Sequence, residues 1–340
     1  MKIIKITGTI IILCVCLCFI LFQRTYRIEQ FYSDNSYEFN RLKQTFDIYF
    51  PEYNINSCRV KYILSKRSFF QRKKNMIYLS FFNRRRYNEL IPHELSHIAL
   101  SYKTNSYSTI EPNRFFDEGF ANIIQNICLN KHEKYKQTAL SASKLQLSIG
   151  NLSLVRVQDW DNYYDRYHNS FPFSYKVGSS FCYYIIDTYG DKHLDKFFKN
   201  ISNDIYIDSV FESVFDKSFS EINDEWEKYI IKNGTLLNVD DIKFYPTRNS
   251  IINNDIDFLE LIFPFPMTKK ISIFCSESEI INYKNAYWKD ENTLIIKLKN
   301  KLKPGTTYKV RLGDNLNWNF ESESGLIMPK IYWTFKTNKE

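Results

Sequence analysis

The chain has 340 residues, 46 Lys and Arg against 38 Asp and Glu, a net charge of +8, and 44% hydrophobic with 17% aromatic residues. That length and apolar content exclude a disordered chain and a single small core, and predict two or three domains with cores of their own. Of the seven cysteines, Cys58, Cys128, Cys182 and Cys275 show no paired spacing, and no Cys-based zinc site is suggested.

Residues 3–22 (IIKITGTIIILCVCLCFILF) form an apolar run interrupted by Lys5 and preceded by Lys2. About 20 such residues match the thickness of a bilayer, so the run reads as a signal peptide or a single membrane anchor. It exits through Phe22-Gln23-Arg24 with no small-x-small cleavage pattern, which favours an uncleaved anchor over residues 1–24 and an extracytoplasmic remainder. Lys2 and Lys5 are balanced by Arg24 and Arg27, so charge bias does not orient it. Cys14, Cys16 and Cys18 are hydrophobic members of the run, and Cys128 and Cys182 fall in apolar helical stretches where buried free thiols are expected.

From Arg59 to Asn88 there are ten Lys or Arg and no Asp or Glu, more than the whole net charge. This is either a solvated basic face or a surface that receives an anionic lipid or acidic polymer; no nucleic-acid motif accompanies it. Within it Arg59 to Leu64 and Asn75 to Phe82 read as strands. They precede the next helix directly, either as the rim of a cleft where an extended peptide adds, or as a plain structural hairpin.

The helix that follows carries His93-Glu94-Leu95-Ser96-His97 among the apolar residues Ile91, Leu95, Ile98 and Leu100. Residues four apart share a helix face, so both imidazoles can reach one metal ion while Glu94 projects beside it. A catalytic zinc takes three protein ligands and keeps a position for water. Asp117-Glu118-Gly119-Phe120-Ala121 opens the next helical pattern, 21 residues from His97 to Glu118, which makes Glu118 the candidate third ligand. His132 and His168, in the mixed stretch 131–169, are assigned no chemistry.

Phe173 to Gly190, Asp191 to Asn200 and Phe211 to Ile231 read as helices. After Asn233-Gly234 the pattern changes. Residues 236–255 read as a linker, and short runs at 258–263, 271–274, 293–298, 307–312 and 331–335 predict a β-sandwich over 256–340.

Three motifs in order, His93 to His97, Asp117 to Ala121 and Tyr175-Lys176-Val177-Gly178, resemble the His-Glu-x-x-His, Asn-Glu-Gly-x-Ala and Tyr-x-x-Gly elements of the gluzincin zinc metallopeptidases. The bacterial peptidase-MA-like branch, related to the M1 aminopeptidases, is the most similar. The resemblance covers roughly residues 59–231. It implies an α+β thermolysin-like catalytic domain over 25–235, mostly helical after a short sheet. It also implies one zinc ion on His93, His97 and Glu118, Glu94 as general base, and Tyr175 as the oxyanion-stabilising group. Asp117 stands where the family often has Asn, and Asn122 where thermolysin-like enzymes have Asp.

Leu100 and Lys103 occupy the Gly and third-His positions of a metzincin, which excludes that branch. No Gly-x-Met-Glu-Asn run holds a free amine, so an endopeptidase is favoured over an aminopeptidase. Leu302 to Tyr308 (LKPGTTY), with Phe265-Pro266-Met267 and Phe335-Lys336-Thr337, is similar to a bacterial Ig-like domain, which implies a spacer or docking module. The expectation is thus a membrane-anchored extracytoplasmic zinc peptidase acting on a peptide or protein substrate. The alternative is a non-catalytic surface binding protein with a relic metal site.

Overall fold

A computed structural model of the chain describes residues 24–32, 35–65, 68–104, 114–154, 171–201, 207–275, 280–314 and 320–339. It is a mixed α/β protein that falls into two compact units, Met1–His132 with Ile185–Phe219, and Glu133–Tyr184 with Ser220–Glu340. Its described helices are α1 (Ser36–Tyr49), α2 (Tyr87–Lys103), α3 (Arg114–Cys128), α4 (His132–Ser148), α5 (Phe171–Tyr189), α6 (Asp191–Asn200), α7 (Ile207–Phe215) and α8 (Phe219–Asn233).

The first unit holds a four-stranded sheet of β1 (Thr25–Arg27), β2 (Arg59–Ile63), β3 (Phe69–Gln71) and β4 (Met76–Ser80), in the order β1-β2-β4-β3. The alternation of β2 and β4 buries Val60, Ile77 and Leu79, as a half-covered strand requires. These two predicted strands are parallel neighbours rather than the arms of one hairpin. The hairpin is β3–β4, closed through a turn at Arg72–Lys74 and Asn75, whose φ of 46° is left-handed. Asn tolerates that conformation, and here its amide is held by Tyr53 Oη and Ser57 Oγ, both at 2.7 Å. Helix α1 starts where the Asn35 side chain accepts from the Glu38 amide, an Asn-x-x-Glu capping pattern. Aromatic pairs tie α3 to α6, with Phe116–Phe197 and Phe120–Phe198 centroids each 5.1 Å apart, and Phe50 packs on Phe120 at 5.8 Å.

In the second unit Trp226 of α8 is fully buried, edge-on to Phe181 at 5.4 Å, with its indole N–H donating to Ser180 Oγ. Eight strands follow: β5 (Lys243–Tyr245), β6 (Ile251–Ile252), β7 (Phe258–Ile262), β8 (Ile273–Cys275), β9 (Ala286–Trp288), β10 (Thr293–Lys297), β11 (Thr307–Leu312) and β12 (Ile331–Thr337). They make two sheets, β5-β7-β10-β9 and β6-β12-β11-β8, around one core that includes Leu259, Leu261, Leu294, Ile296, Val310 and Trp333.

Strands β5 and β6 come from the segment read as a linker and pair with β7 and β12. Strands of two or three residues carry too little alternation to stand out in sequence. The β segments are also packed closely on the helices of their own unit. Gly325, at φ +91°, lies so close to α4 that a Cβ there would sit 2.6 Å from Thr138 Oγ1 and 2.7 Å from the Lys134 carbonyl. Glu321 receives Lys270 Nζ at 2.7 Å and Lys176 Nζ of α5 at 3.5 Å.

No helix among the described residues is long and apolar enough to cross a membrane. The longest, α5, is interrupted by Lys176, Ser179, Ser180 and Asp187. The expected anchor at residues 3–22 lies outside the described residues, so the single-pass membrane location and the membrane partner read from it are unsupported and are withdrawn. Among the described residues Cys58, Cys128, Cys182 and Cys275 form no disulfide, the first three are buried, and burial pushes the thiol pKa of both Cys58 and Cys128 up to about 12.

Candidate metal centre

Helix α2 runs through Pro92, whose missing N–H costs one helical hydrogen bond; the Pro92 carbonyl in turn receives Ser96 Oγ at 2.6 Å. Ile91, Leu95 and Ile98 are wholly buried and fix the helix rotation that presents His93 and His97 on one face. Their rings meet edge to face at 4.8 Å and 88°, with the two Nε2 atoms 3.2 Å apart.

Helix α3 brings Glu118 to the same point. Its Oε2 lies 3.3 Å from His93 Nε2 and 3.5 Å from His97 Nε2. Ligand bonds of about 2.0–2.1 Å in a tetrahedral zinc site place neighbouring ligand atoms about 3.3–3.4 Å apart, and the three separations match that edge. Glu118 Oε2 is buried and accepts no hydrogen bond, while Oε1 is 3.3 Å from Arg114 Nε. Lone-pair atoms converge here on a space that suits a cation. Among the described residues, His93, His97 and Glu118 are the group able to hold a metal ion.

The surroundings orient this triangle. Asp117 Oδ2 lies 2.8 Å from His97 Nδ1, a buried carboxylate–imidazole contact that favours a proton on Nδ1 and turns Nε2 toward His93 and Glu118. Phe70 of β3 stacks on the His97 ring at 5.2 Å and 21°. Asn122 spends its amide on its own helix, donating to the Glu118 carbonyl at 2.8 Å. The buried carboxylate partner in this chain is therefore Asp117, on His97. Neither Asp117's bond to His97 nor the Phe70 stack was singled out from sequence. The adjacency of Asp117 to Glu118 was the one available signal.

Electrostatics follow from burial and from the crowding of opposite charges. Burial raises the Glu94 carboxyl pKa, against the lowering pull of His93 and His97. For His97 burial works against the charged form, yet Asp117 and Glu118 outweigh it and hold the imidazole well above its ordinary value. For Glu118 burial raises, and the two histidines together overcome it, leaving the carboxyl well below its ordinary range. Glu94 belongs to α2 and is buried beside the histidines. Tyr175 belongs to the second unit, on α5, where its carbonyl receives Ser179 Oγ at 2.9 Å.

No family model matches the sequence, and no curated protein matches it. Solved structures with a detectable similarity include L,D-transpeptidase 3 from Mycobacterium tuberculosis with a faropenem-derived adduct, at 13% identity and a TM-score of 0.19, covering 28% of this chain and 36% of that one. Another is the S-layer protein rSbsC(31-844), at 12% identity and a TM-score of 0.20, covering 72% of this chain and 33% of that one. The chain spans about a third of the length of these solved chains. At such TM-scores the likeness carries no argument about fold or activity.

Proposed function

We propose that the chain is a zinc-dependent peptidase of gluzincin type, with His93, His97 and Glu118 holding the metal and Glu94 acting as general base. The observation that carries this reading is the triangle of His93 Nε2, His97 Nε2 and Glu118 Oε2, with sides of 3.2, 3.3 and 3.5 Å. Zinc held there supplies Lewis-acid polarisation of a water and of the scissile carbonyl.

The chain's own groups supply the rest. Asp117 holds His97 in the ligating tautomer, and Phe70 covers the ring face. Glu94, whose pKa burial raises, takes the proton of the attacking water and passes it to the leaving amine. The short sheet followed by helices α2 and α3 is consistent with a thermolysin-like catalytic part. Two sheets around one core are consistent with an Ig-like sandwich at the C-terminal end.

The test is a digest of a peptide library by the zinc-loaded chain and by Glu94→Gln. Cleavage by the wild type, with loss of at least about a hundredfold in the variant at unchanged zinc content, supports the assignment. Equal cleavage by both would remove Glu94 from the mechanism. Zinc binding without cleavage by either would favour a metal-holding binding protein.

A further inference from the structure

The basic stretch 59–88 is left without a role by the metal centre, yet the fold brings part of it to the edge of that centre. Strand β3 is an edge of the first sheet, paired on one side with β4 and, among the described residues, with no strand on the other. Its middle residue, Phe70, lies against the His97 ring at 5.2 Å, so β3 passes beside the candidate metal ligands.

Two residues beyond Phe70, within about 7 Å along the chain, the turn Arg72-Lys73-Lys74 begins. Arg72 is pinned over the Tyr102 ring at 5.1 Å. Lys73 and Lys74 are exposed, and neither makes an ion pair among the described residues. Elsewhere in the stretch Arg86 is neutralised by Glu89 at 2.6 Å, while Arg59 and Lys61 of β2 add charge to the same sheet.

A purely solvated basic face needs no such placement. An edge strand whose backbone can receive an extended peptide, with uncompensated ammonium groups at its turn, selects that peptide by charge. We propose that the site takes acidic peptide segments, with Lys73 and Lys74 as the specificity-determining residues. This rests on the peptidase reading, because it places the substrate along β3 beside the metal ligands.

The test separates the two ideas by using binding rather than turnover. Zinc-loaded full-length Glu94→Gln is titrated with fluorescein-labelled peptides ten residues long, one alternating Glu and Ala and one alternating Lys and Ala, by fluorescence anisotropy at low and at physiological salt. The acidic peptide is expected to bind at least about tenfold more tightly, with the margin shrinking as salt screens it. Lys73→Glu with Lys74→Glu is expected to abolish that preference while leaving zinc content unchanged.

Equal binding of the two peptides, or a preference that survives the charge reversal, overturns the proposal. Acidic preference with no cleavage of either peptide by the wild-type chain would uphold the charge selection and count against the peptidase reading instead. Tight binding of single-stranded DNA, rivalling the acidic peptide, would overturn the peptide assignment in favour of a general polyanion surface.

Discussion

Asp117 and His97 form a buried carboxylate–imidazole pair, with Oδ2 2.8 Å from Nδ1, next to the Glu118 that faces the same ring's Nε2 at 3.5 Å. Consecutive residues of α3 thus address both nitrogens of one histidine. The same helix turn therefore places one carboxylate against each nitrogen of the His97 ring.

Removing that partner should weaken metal binding without removing a ligand. Asp117→Ala is expected to lower zinc affinity by about 10–100-fold, and Asp117→Asn by less because its amide oxygen still accepts from Nδ1. Chelator-competition titration of the three proteins checks the order. Equal affinities in all three would mean that His97 is oriented by its packing on Phe70 alone.

Zinc should stabilise the first unit, since it neutralises a buried group of facing lone pairs. At a thousandfold excess over Kd the gain is about 4 kcal/mol. Thermal unfolding with zinc and with EDTA measures it. Glu118→Ala is expected to lose most of the zinc-dependent shift. A shift of full size in that variant would place the third ligand elsewhere.

The Glu321 cage predicts a pH dependence of stability. Burial raises the Glu321 carboxyl, but Lys176 and Lys270 outweigh it and leave the folded pKa below the ordinary 4.5. The folded state therefore binds this proton more weakly than the unfolded chain does. The stabilisation is complete above the unfolded pKa and is lost as pH falls through the folded one. Urea unfolding should show Glu321→Gln weaker than wild type by on the order of 3 kcal/mol at pH 7, with the gap closing below about pH 4. A gap independent of pH would assign the loss to packing.

Gly325 gives a steric prediction. A methyl group there meets Thr138 Oγ1 at 2.6 Å and the Lys134 carbonyl at 2.7 Å, and φ is +91°. Gly325→Ala should cost about 3 kcal/mol in denaturant unfolding, whereas Gly150→Ala, with nothing within 4 Å of its Cβ, should pay only for its φ of +69°. Similar losses in the two variants would show that the fit of Gly325 against α4 contributes little.

The meeting of His93 and His97 was legible in the chain because its information is local. Helical periodicity places His93 and His97 on one face whatever else the protein does, and Asp117-Glu118-Gly119 marks the start of a second helix pattern. The described β7, β11 and β12 likewise follow alternation that five to seven residues can carry, while β10 is a short run buried on both faces. Helices α1 and α4 went unread, the first despite its Asn35 cap, the second because a helix rich in Ser, Thr, Lys and Gln shows only a weak apolar stripe.

By itself the sequence determined which side chains could ligate and the helix face that two of them share. Only the tertiary structure decided that Glu118 Oε2 reaches those imidazoles, that Asp117 takes the outer nitrogen of His97, and that Phe70 covers its ring. Those relations join α2, α3 and β3, and depend on separations set by packing rather than by chain spacing. The same cause recruited Lys243–Tyr245 and Ile251–Ile252 into sheets, since a two- or three-residue strand exists only where a neighbour offers its edge.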